Sequence, residues 1–512
     1  DTPNRGINLI HHPSGLDRLP ATLGKPPSPR EGPIRPYWPF NTGAGNTGHM
    51  SDWRVPALEL AGMLGTWSDG AGSLATQLTA ALAELIDVGA LPPGAGLPPQ
   101  RSLAHALGVS RGVVTTAYDT LTADHRTVAR QGSGTRVTPT RGYSMGHASG
   151  RPLSFTRAPG HVIDLSSGAL PASPTAVEVL SHTGSGMSHS YLATDGYFPA
   201  GIPPLRQALA DRLTRDGMPT SSEEIMITSG AQQAALITLS ALAGTGDLAL
   251  VEEPTYRGAL TILRGRGARI RGIRRLRHGI DINHLDHAAG RHPALAYVQT
   301  SIHNPTGHTT SPATRQAIAE TANRHGLVII DDHSMADLAW QPTTTAPLAQ
   351  AMDPDLLITI GSLSKLFWGG LRIGWIRASR LRITTLVELR KSLDLGTSIS
   401  DQLIACRLLT HTTQARTQRI DMLREALTNT TDVLTTWRPD WTWEPIDGGS
   451  GLWVNTHTDT AALAAHAASH HVRLTPGHAF SAHNGHTTML RLPVWHPPEQ
   501  LDQALQRLNS NR

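Results

Sequence analysis

Only three lysines, Lys25, Lys365 and Lys391, stand among the 44 Lys plus Arg residues of this chain. Chemistry that needs a primary amine therefore has three places to reside. Lys365 closes the run Gly361-Ser362-Leu363-Ser364-Lys365, directly after the apolar stretch 356–360, and Arg372 follows seven residues later. A lysine at the end of a buried strand, with hydroxyls before it and an arginine after it, suits an aldehyde cofactor that also carries a phosphate. The lysine supplies the imine nitrogen, and a desolvated site keeps that amine neutral and nucleophilic. Ser362, Ser364 and Arg372 supply donors to the phosphate. Lys391 lies in the charged segment Glu388-Leu389-Arg390-Lys391 and reads as surface, and Lys25 sits in an unpatterned leader.

Companion residues occur in order along the chain. Asn304-Pro305-Thr306-Gly307 follows the apolar run 294–299, and Asp331 lies 27 residues after Asn304 at the end of the run 327–331. An aspartate against a pyridinium nitrogen keeps the ring protonated and able to accept electrons. Upstream, Ser229-Gly230-Ala231-Gln232 opens a helix after the run 225–228, so the amides of Gly230, Ala231 and Gln232 form an anion site at a helix N-terminus. Tyr256, in Glu253-Pro254-Thr255-Tyr256, offers a ring to stack on a cofactor, or else plain core. Arg491, in Leu490-Arg491-Leu492, offers a fork for a substrate carboxylate, or else pairs with a core carboxylate.

These residues need elements to position them. From residue 163 onward, helical patterns alternate with the short apolar runs 225–228, 248–252, 294–299, 327–331 and 356–360, which predicts an α/β domain built on a parallel sheet. The N-terminal third reads differently. Leu78, Ala81, Leu82, Leu85 and Ile86 form a helical stripe, a second short helix covers 100–107 and stops at Gly108, and Ser110 caps a third. On that third helix Val114, Ala117, Tyr118 and Leu121 share one face. Two short strands, 126–130 and 135–138, flank Gln131-Gly132-Ser133-Gly134. A helix with an apolar underside, preceded by a short helix and a tight turn, and followed by a hairpin, is what entry into a DNA major groove requires.

Composition narrows the remaining classes. The 512 residues carry a formal net charge of +4, so no polycationic or acidic-tail partner is implied, and one cysteine excludes an intrachain disulfide framework. That cysteine usage, with no apolar run of spanning length, predicts a cytoplasmic protein without a membrane partner. Between residues 98 and 138 five arginines face two aspartates, a modest local excess of +3. Residues 1–49, rich in Pro, Gly, Asn and Arg, read as a disordered leader, and Met50, where patterning begins, is a candidate natural start. Residues 50–139 form the first domain, 140–162 a linker, and 163–512 the second domain with large and small subdomains. His466 and His470 are spaced for a metal face, but no third ligand is evident, so they read as a solvated helix and no metal is expected.

The segment LPPGAGLPPQRSLAHALGVSRGVVTTAYDTLTADHRTVARQGSGTRV resembles the winged helix-turn-helix of the GntR family of bacterial regulators. That resemblance implies DNA contacts from Arg101 and Arg111, with Ser110, Thr115, Gln131 and Gly132 as lesser ones. The second domain resembles fold-type I aminotransferases. The joined architecture, with Tyr197-Phe198-Pro199-Ala200-Gly201 and Pro476-Gly477-His478-Ala479-Phe480, resembles the MocR, or GabR-like, subfamily. The resemblance implies pyridoxal 5'-phosphate as cofactor, with Lys365 carrying the internal aldimine, Asp331 on the ring nitrogen and Asn304 on the ring hydroxyl. Ser362 and Arg372 would hold the phosphate, and Arg491 an effector carboxylate. Where the subfamily reads Asp-Asp-Tyr, this chain reads Asp331-Asp332-His333, so His333 takes the tyrosine's place as donor to the ring oxygen. The expected function is a homodimeric transcription regulator that binds a double-stranded operator and senses an amine or amino acid through Lys365. Two alternatives stay open: an active aminotransferase with an accessory DNA-binding domain, and a DNA-binding protein whose large domain only dimerises.

Overall fold

The computed structural model describes residues 54–65, 67–68, 72–87, 91, 94–124, 126–130, 134–138, 161–182, 189–341 and 348–509. The leader 1–49 and all but the last two residues of the linker 140–162 lie outside the described residues. The N-terminal block is built from α1 (Ala57–Leu64), α2 (Leu74–Asp87), α3 (Gln100–Leu107) and α4 (Arg111–Ala123), followed by a hairpin of β1 (Thr127–Arg130) and β2 (Gly134–Val137). The periodic residues are the ones that pack: Leu78, Leu82 and Leu85 of α2 meet Val114, Ala117, Tyr118 and Leu121 of α4 in one core. The Tyr118 hydroxyl donates to the Pro98 carbonyl at 2.9 Å, tying α4 to the approach to α3. α1, which the sequence reading did not predict, completes that core with Leu60, Met63 and Leu64.

The second block carries β3 (Ile163–Asp164), then β4 (Ile225–Thr228), β5 (Leu248–Glu253), β6 (Arg269–Leu276), β7 (Gly279–Ile280), β8 (Leu295–Val298), β9 (Ile329–Asp332), β10 (Leu357–Ser362) and β11 (Gly374–Arg377). Strands β4 to β11 form an eight-stranded sheet in the order β4-β11-β10-β9-β8-β5-β6-β7. The five strands β10, β9, β8, β5 and β6 pair in parallel, as expected from the alternating pattern, but β11 and β7 run against their neighbours. The sheet is therefore mixed. β11 belongs to a reversal that follows β10 within a dozen residues, too short a connection for a parallel crossover.

Apolar clusters cover both faces of this sheet. The helix Ala231–Leu242 and the helix Arg257–Gly265 lie on one side, and the helices Ile282–Ala289 and Pro312–His325 on the other. The small subdomain adds β12 (Thr442–Trp443), β13 (Gly451–Asn455), β14 (Val472–Arg473), β15 (Thr475–Pro476) and β16 (Met489–Pro493). β14 pairs with β3, and the other four form a sheet in the order β12-β13-β16-β15. This sheet packs on the long helix Thr412–Trp437 and the last helix, Pro498–Asn509.

Candidate functional site

A cavity of about 440 Å³ opens at the C-terminal ends of the parallel strands, where loops from both subdomains converge. In α/β sheets this edge is where ligands bind, because helix N-termini and strand-end loops face it together. Lys365 lines it from just beyond β10. Its amine is buried and donates to the Gly168 carbonyl at 2.6 Å. Burial, reinforced by the positive charges of Arg491, Arg419 and Arg257, lowers its pKa to about 7, while Asp332 opposes the shift. A large fraction of Lys365 is therefore neutral near pH 7, as a nucleophilic amine must be.

The phosphate donors expected from sequence come together on one wall. Ser362, Ser364 and Arg372 line the cavity with Gly230, Ala231 and Gln232. Ser362 Oγ donates to Ser364 Oγ at 2.8 Å, and the Arg372 guanidinium donates to the Ser229 carbonyl beside the helix start. The helix Ala231–Leu242 has Gly230 at its N-cap and no side chain capping it, so its first amides remain open to an anion. Asn304 and Tyr256 also line the cavity. The Tyr256 ring packs against the sheet's apolar cluster while its hydroxyl donates to Gln232 Oε1 at 2.9 Å. Three guanidiniums, Arg257, Arg372 and Arg491, line the cavity with Lys365 against one carboxylate. Such a balance suits a ligand with at least two anionic groups. The residues present fit pyridoxal phosphate: a neutral buried lysine, an open phosphate cradle and a carboxylate for the ring nitrogen.

The carboxylate that lines this cavity is Asp332, one residue past the Asp331 expected from sequence. Consecutive residues on a strand point to opposite faces, and β9 extends one residue past the expected end, to Asp332. Asp332 lines the cavity with Ser334 and Met335; Asp331 and His333 do not. Asp331 faces away, accepting from Thr300 N at 3.0 Å, Thr300 Oγ1 at 2.7 Å and pairing with His333 Nε2 at 2.8 Å. Burial would raise the Asp331 pKa, but His333 and the Thr300 donors outweigh it and hold the group below its usual value. Asp332 accepts from the Tyr297 hydroxyl and from Ser334, and burial raises its pKa. His333, expected as a donor to the cofactor ring oxygen, pairs with Asp331 and does not line this cavity.

Arg491 projects from β16 into the cavity and is 5% exposed. Its partners are the Ser450 carbonyl at 3.4 Å and the Ser450 hydroxyl at 3.3 Å, and among the described residues no carboxylate lies within ion-pair distance. The core-pairing alternative is therefore not what the side chain does. Burial and the nearby Arg257 lower its pKa to about 9, so it is charged at neutral pH and lacks a counter-ion. Gly168 makes this placement possible: a Cβ there would lie 2.3 Å from Arg491 Nη2. Neither Gly168 nor Arg257 was identified from sequence. Gly168 lies just after β3, far from any motif, and Arg257 looks like one more surface arginine beside Tyr256.

On the N-terminal block Arg101, Ser110 and Arg111 are exposed at the starts of α3 and α4. Ser110 occupies the N-cap position of α4 but makes no side-chain cap bond. Thr115 is turned inward: its hydroxyl donates to Gln100 Oε1 and to the Arg111 carbonyl, both at 3.0 Å, and so braces α4 against α3. Gln131 and Gly132 lie outside the described residues. No helix among the described residues is long and apolar enough to cross a membrane.

Comparison with known proteins matches each block separately. Residues 160–508 match the family Aminotransferase class I and II, and residues 74–137 match Bacterial regulatory proteins, gntR family. The HTH-type transcriptional regulator YdcR of Escherichia coli is 28% identical over 467 residues, covering 84% of this chain and 97% of that protein. The 2-aminoadipate transaminase of Thermus thermophilus is 27% identical over 330 residues, covering 63% of this chain and 80% of that enzyme. Among solved structures, the multiple substrate aminotransferase of Thermococcus profundus superimposes with a TM-score of 0.61 at 25% identity, covering 72% of this chain and 94% of that one. The chain thus belongs to the class I and II aminotransferase family and carries a gntR-family helix-turn-helix ahead of it, an architecture consistent with the MocR-like regulators.

Proposed function

We propose that this protein is a pyridoxal phosphate-dependent transcription regulator that responds to an amine or amino acid bound in the Lys365 cavity. The reading rests chiefly on one observation: a neutral buried lysine, a phosphate cradle and an uncompensated arginine share a cavity in a chain with a helix-turn-helix head. When bound, pyridoxal phosphate supplies an aldehyde carbon at which lysine can be exchanged for an incoming primary amine. Ser362, Ser364, Arg372 and the helix start at Gly230 hold its phosphate. Asp332 keeps a proton on the ring nitrogen, and Arg491 orients a ligand carboxylate. Arg101 and Arg111 contact operator DNA from the exposed ends of α3 and α4, in a homodimer that presents two heads.

The completeness of the cavity also favours a second reading, a working aminotransferase. Both are tested with purified full-length protein by its visible spectrum, its affinity for a duplex from its own upstream region, and its turnover. Poor turnover with amine-dependent operator binding supports the regulator. Efficient two-substrate turnover without operator binding sinks it.

Two variants sharpen the reading. Arg111→Ala is expected to weaken operator binding by about 1–3 kcal/mol while leaving cofactor uptake unchanged, as measured by fluorescence anisotropy. Gly168→Ala displaces Arg491. It is expected to weaken binding of an amino acid at least ~10-fold while sparing the amine that lacks the carboxylate, as measured by spectral titration. Equal losses for both would count against Arg491 as the carboxylate receptor.

A further inference from the structure

A second cavity, of about 410 Å³, lies between the two subdomains and outside the Lys365 site. The small sheet builds one wall. Side chains alternate across a strand, and β13 pairs Trp453 with Arg491 and Asn455 with Met489 of β16, so these four share one face. Arg491 enters the Lys365 cavity, whereas Trp453, Asn455 and Met489 line the second one. Trp453 meets the ring of Phe480 edge-on at 5.5 Å, and Phe480 lines the first cavity, so this aromatic pair stands between the two. The opposite wall comes from the ends of β5 and β6 and from the loop that carries Thr306 and His308.

The polar groups of this cavity are buried and incompletely paired. Glu253 is 1% exposed. Its Oε2 accepts from Ala482 N at 2.7 Å, but its Oε1 receives no hydrogen bond. His486 Nε2 lies 3.2 Å from that oxygen, outside hydrogen-bond alignment, and has no hydrogen-bond partner of its own. His308 is buried with an equally unpartnered Nε2, 3.5 Å from Glu444. A buried carboxylate oxygen without a donor bears its full desolvation cost, which a ligand that donates to it offsets.

Charge decides the kind of ligand. The two arginines that line the cavity are already engaged: Arg275 pairs with Glu252 at 2.9 Å, and Arg277 grips both oxygens of Asp447 at 2.9 Å. His308 adds no charge near pH 7, since burial and then Arg277 and Arg275 push its pKa down to about 4. Among the described residues Glu253 meets no lysine or arginine within ion-pair distance, and Glu444 meets only Arg277, at 3.8 Å. The balance is opposite to that of the Lys365 cavity, where three guanidiniums and the lysine face one carboxylate. An indole beside a carboxylate suits an organic cation, which is attracted by both the ring's π face and the negative charge.

We propose that this second cavity binds a protonated organic amine, with its ammonium on Glu253 Oε1 between His308 and His486 and its apolar part on Trp453 and Met489. The ligand is held without a covalent bond, because no lysine lines this cavity. The site uses neither the cofactor nor DNA, so it stands or falls apart from the regulator reading.

Full-length protein is titrated with N,N-dimethylbenzylamine, which is protonated at neutral pH and, being tertiary, cannot form an imine with an aldehyde cofactor. Tryptophan fluorescence and calorimetry follow binding with and without pyridoxal phosphate. One site is expected, with the same affinity in both forms. Glu253→Gln keeps an oxygen for Ala482 N and is expected to weaken binding at least ~10-fold. Trp453→Leu is expected to weaken it about 3- to 10-fold, and both variants should take up cofactor as the wild type does. Glu444, on the exposed rim, contributes less, and Glu444→Gln should weaken binding about two-fold. If near-UV circular dichroism shows that Glu253→Gln disturbs the fold, the other two variants decide the matter. Benzyl alcohol, the same ring without the charge, should bind at least ~10-fold more weakly. Absence of saturable binding at millimolar amine overturns the site, as does wild-type affinity in the variants or equal binding of benzyl alcohol. Competition by pyridoxal phosphate would place the amine in the Lys365 cavity and overturns it as well.

Discussion

Lys365→Ala and Lys365→Arg are both expected to abolish stable uptake of pyridoxal phosphate, seen as loss of the visible band and of borohydride-fixed label. The two variants fail for different reasons. Alanine removes the amine, whereas arginine keeps a cation of similar length but offers no neutral nitrogen at accessible pH. In the wild type, burial and three neighbouring guanidiniums bring the lysine to about 7. A substantial fraction of it is neutral at pH 7, against about 0.03% for an ordinary lysine. Raising the pH removes the proton and adds nucleophile, so the labelling rate should climb through a midpoint near pH 7 and flatten above it. Lys391 pairs with Glu388 at 2.6 Å on an exposed helix and should label slowly at pH 7. Label recovered on Lys391 in place of Lys365 would contradict the assignment, as would a labelling midpoint near that of free lysine.

Asp332→Asn is expected to weaken cofactor affinity roughly 100-fold or more, and Asp331→Asn by less than about five-fold. Removing one partner of a buried ion pair costs about 3–5 kcal/mol, which sets the first figure. Asparagine can still accept from the Tyr297 hydroxyl, so the local fold should survive while the charge opposite the ring nitrogen is lost. Asp331 acts at one remove: it accepts from Thr300 and pairs with His333 on the far side of β9. Titrating each variant with pyridoxal phosphate separates the two carboxylates. A larger loss from Asp331→Asn would mean that the strand presents its other face to the cofactor.

The contrast between these neighbours shows where reading a sequence runs out. Spacing from Asn304 and Lys365 brings an acid to the end of β9, and two candidates stand side by side. Choosing between them needs the strand's register, because a shift of one residue exchanges its faces. Here Asp332 pairs across with Ile360 of β10, two residues before Ser362, and so shares the cavity side. The mixed sheet has a similar origin. The apolar runs were legible as strands, but β11 is a short reversal, and pairing direction depends on connection geometry. α1 was missed because its eight residues carry too few periodic positions to stand out beside the unpatterned leader.

Other features were local enough to be read directly. The helical stripes of α2 and α4, the stop at Gly108 and the glycine turn between β1 and β2 depend on neighbours a few residues apart. Lysine scarcity left Lys365 as the one amine beside hydroxyls and an arginine, and the phosphate cradle followed from the helix start at Gly230 and from Ser362, Ser364 and Arg372. By itself, then, the sequence determined the two-block organisation, the helix-turn-helix and Lys365 as the lysine that lines the cavity. Only the tertiary structure decided which aspartate faces the cavity, that Arg491 enters the cavity where Gly168 leaves it room, and that Glu59 is buried between arginines more than 200 residues away. The physical reason is range: backbone periodicity and capping act within a few residues, whereas burial, register and charge pairing are set by segments that meet only when the chain has folded.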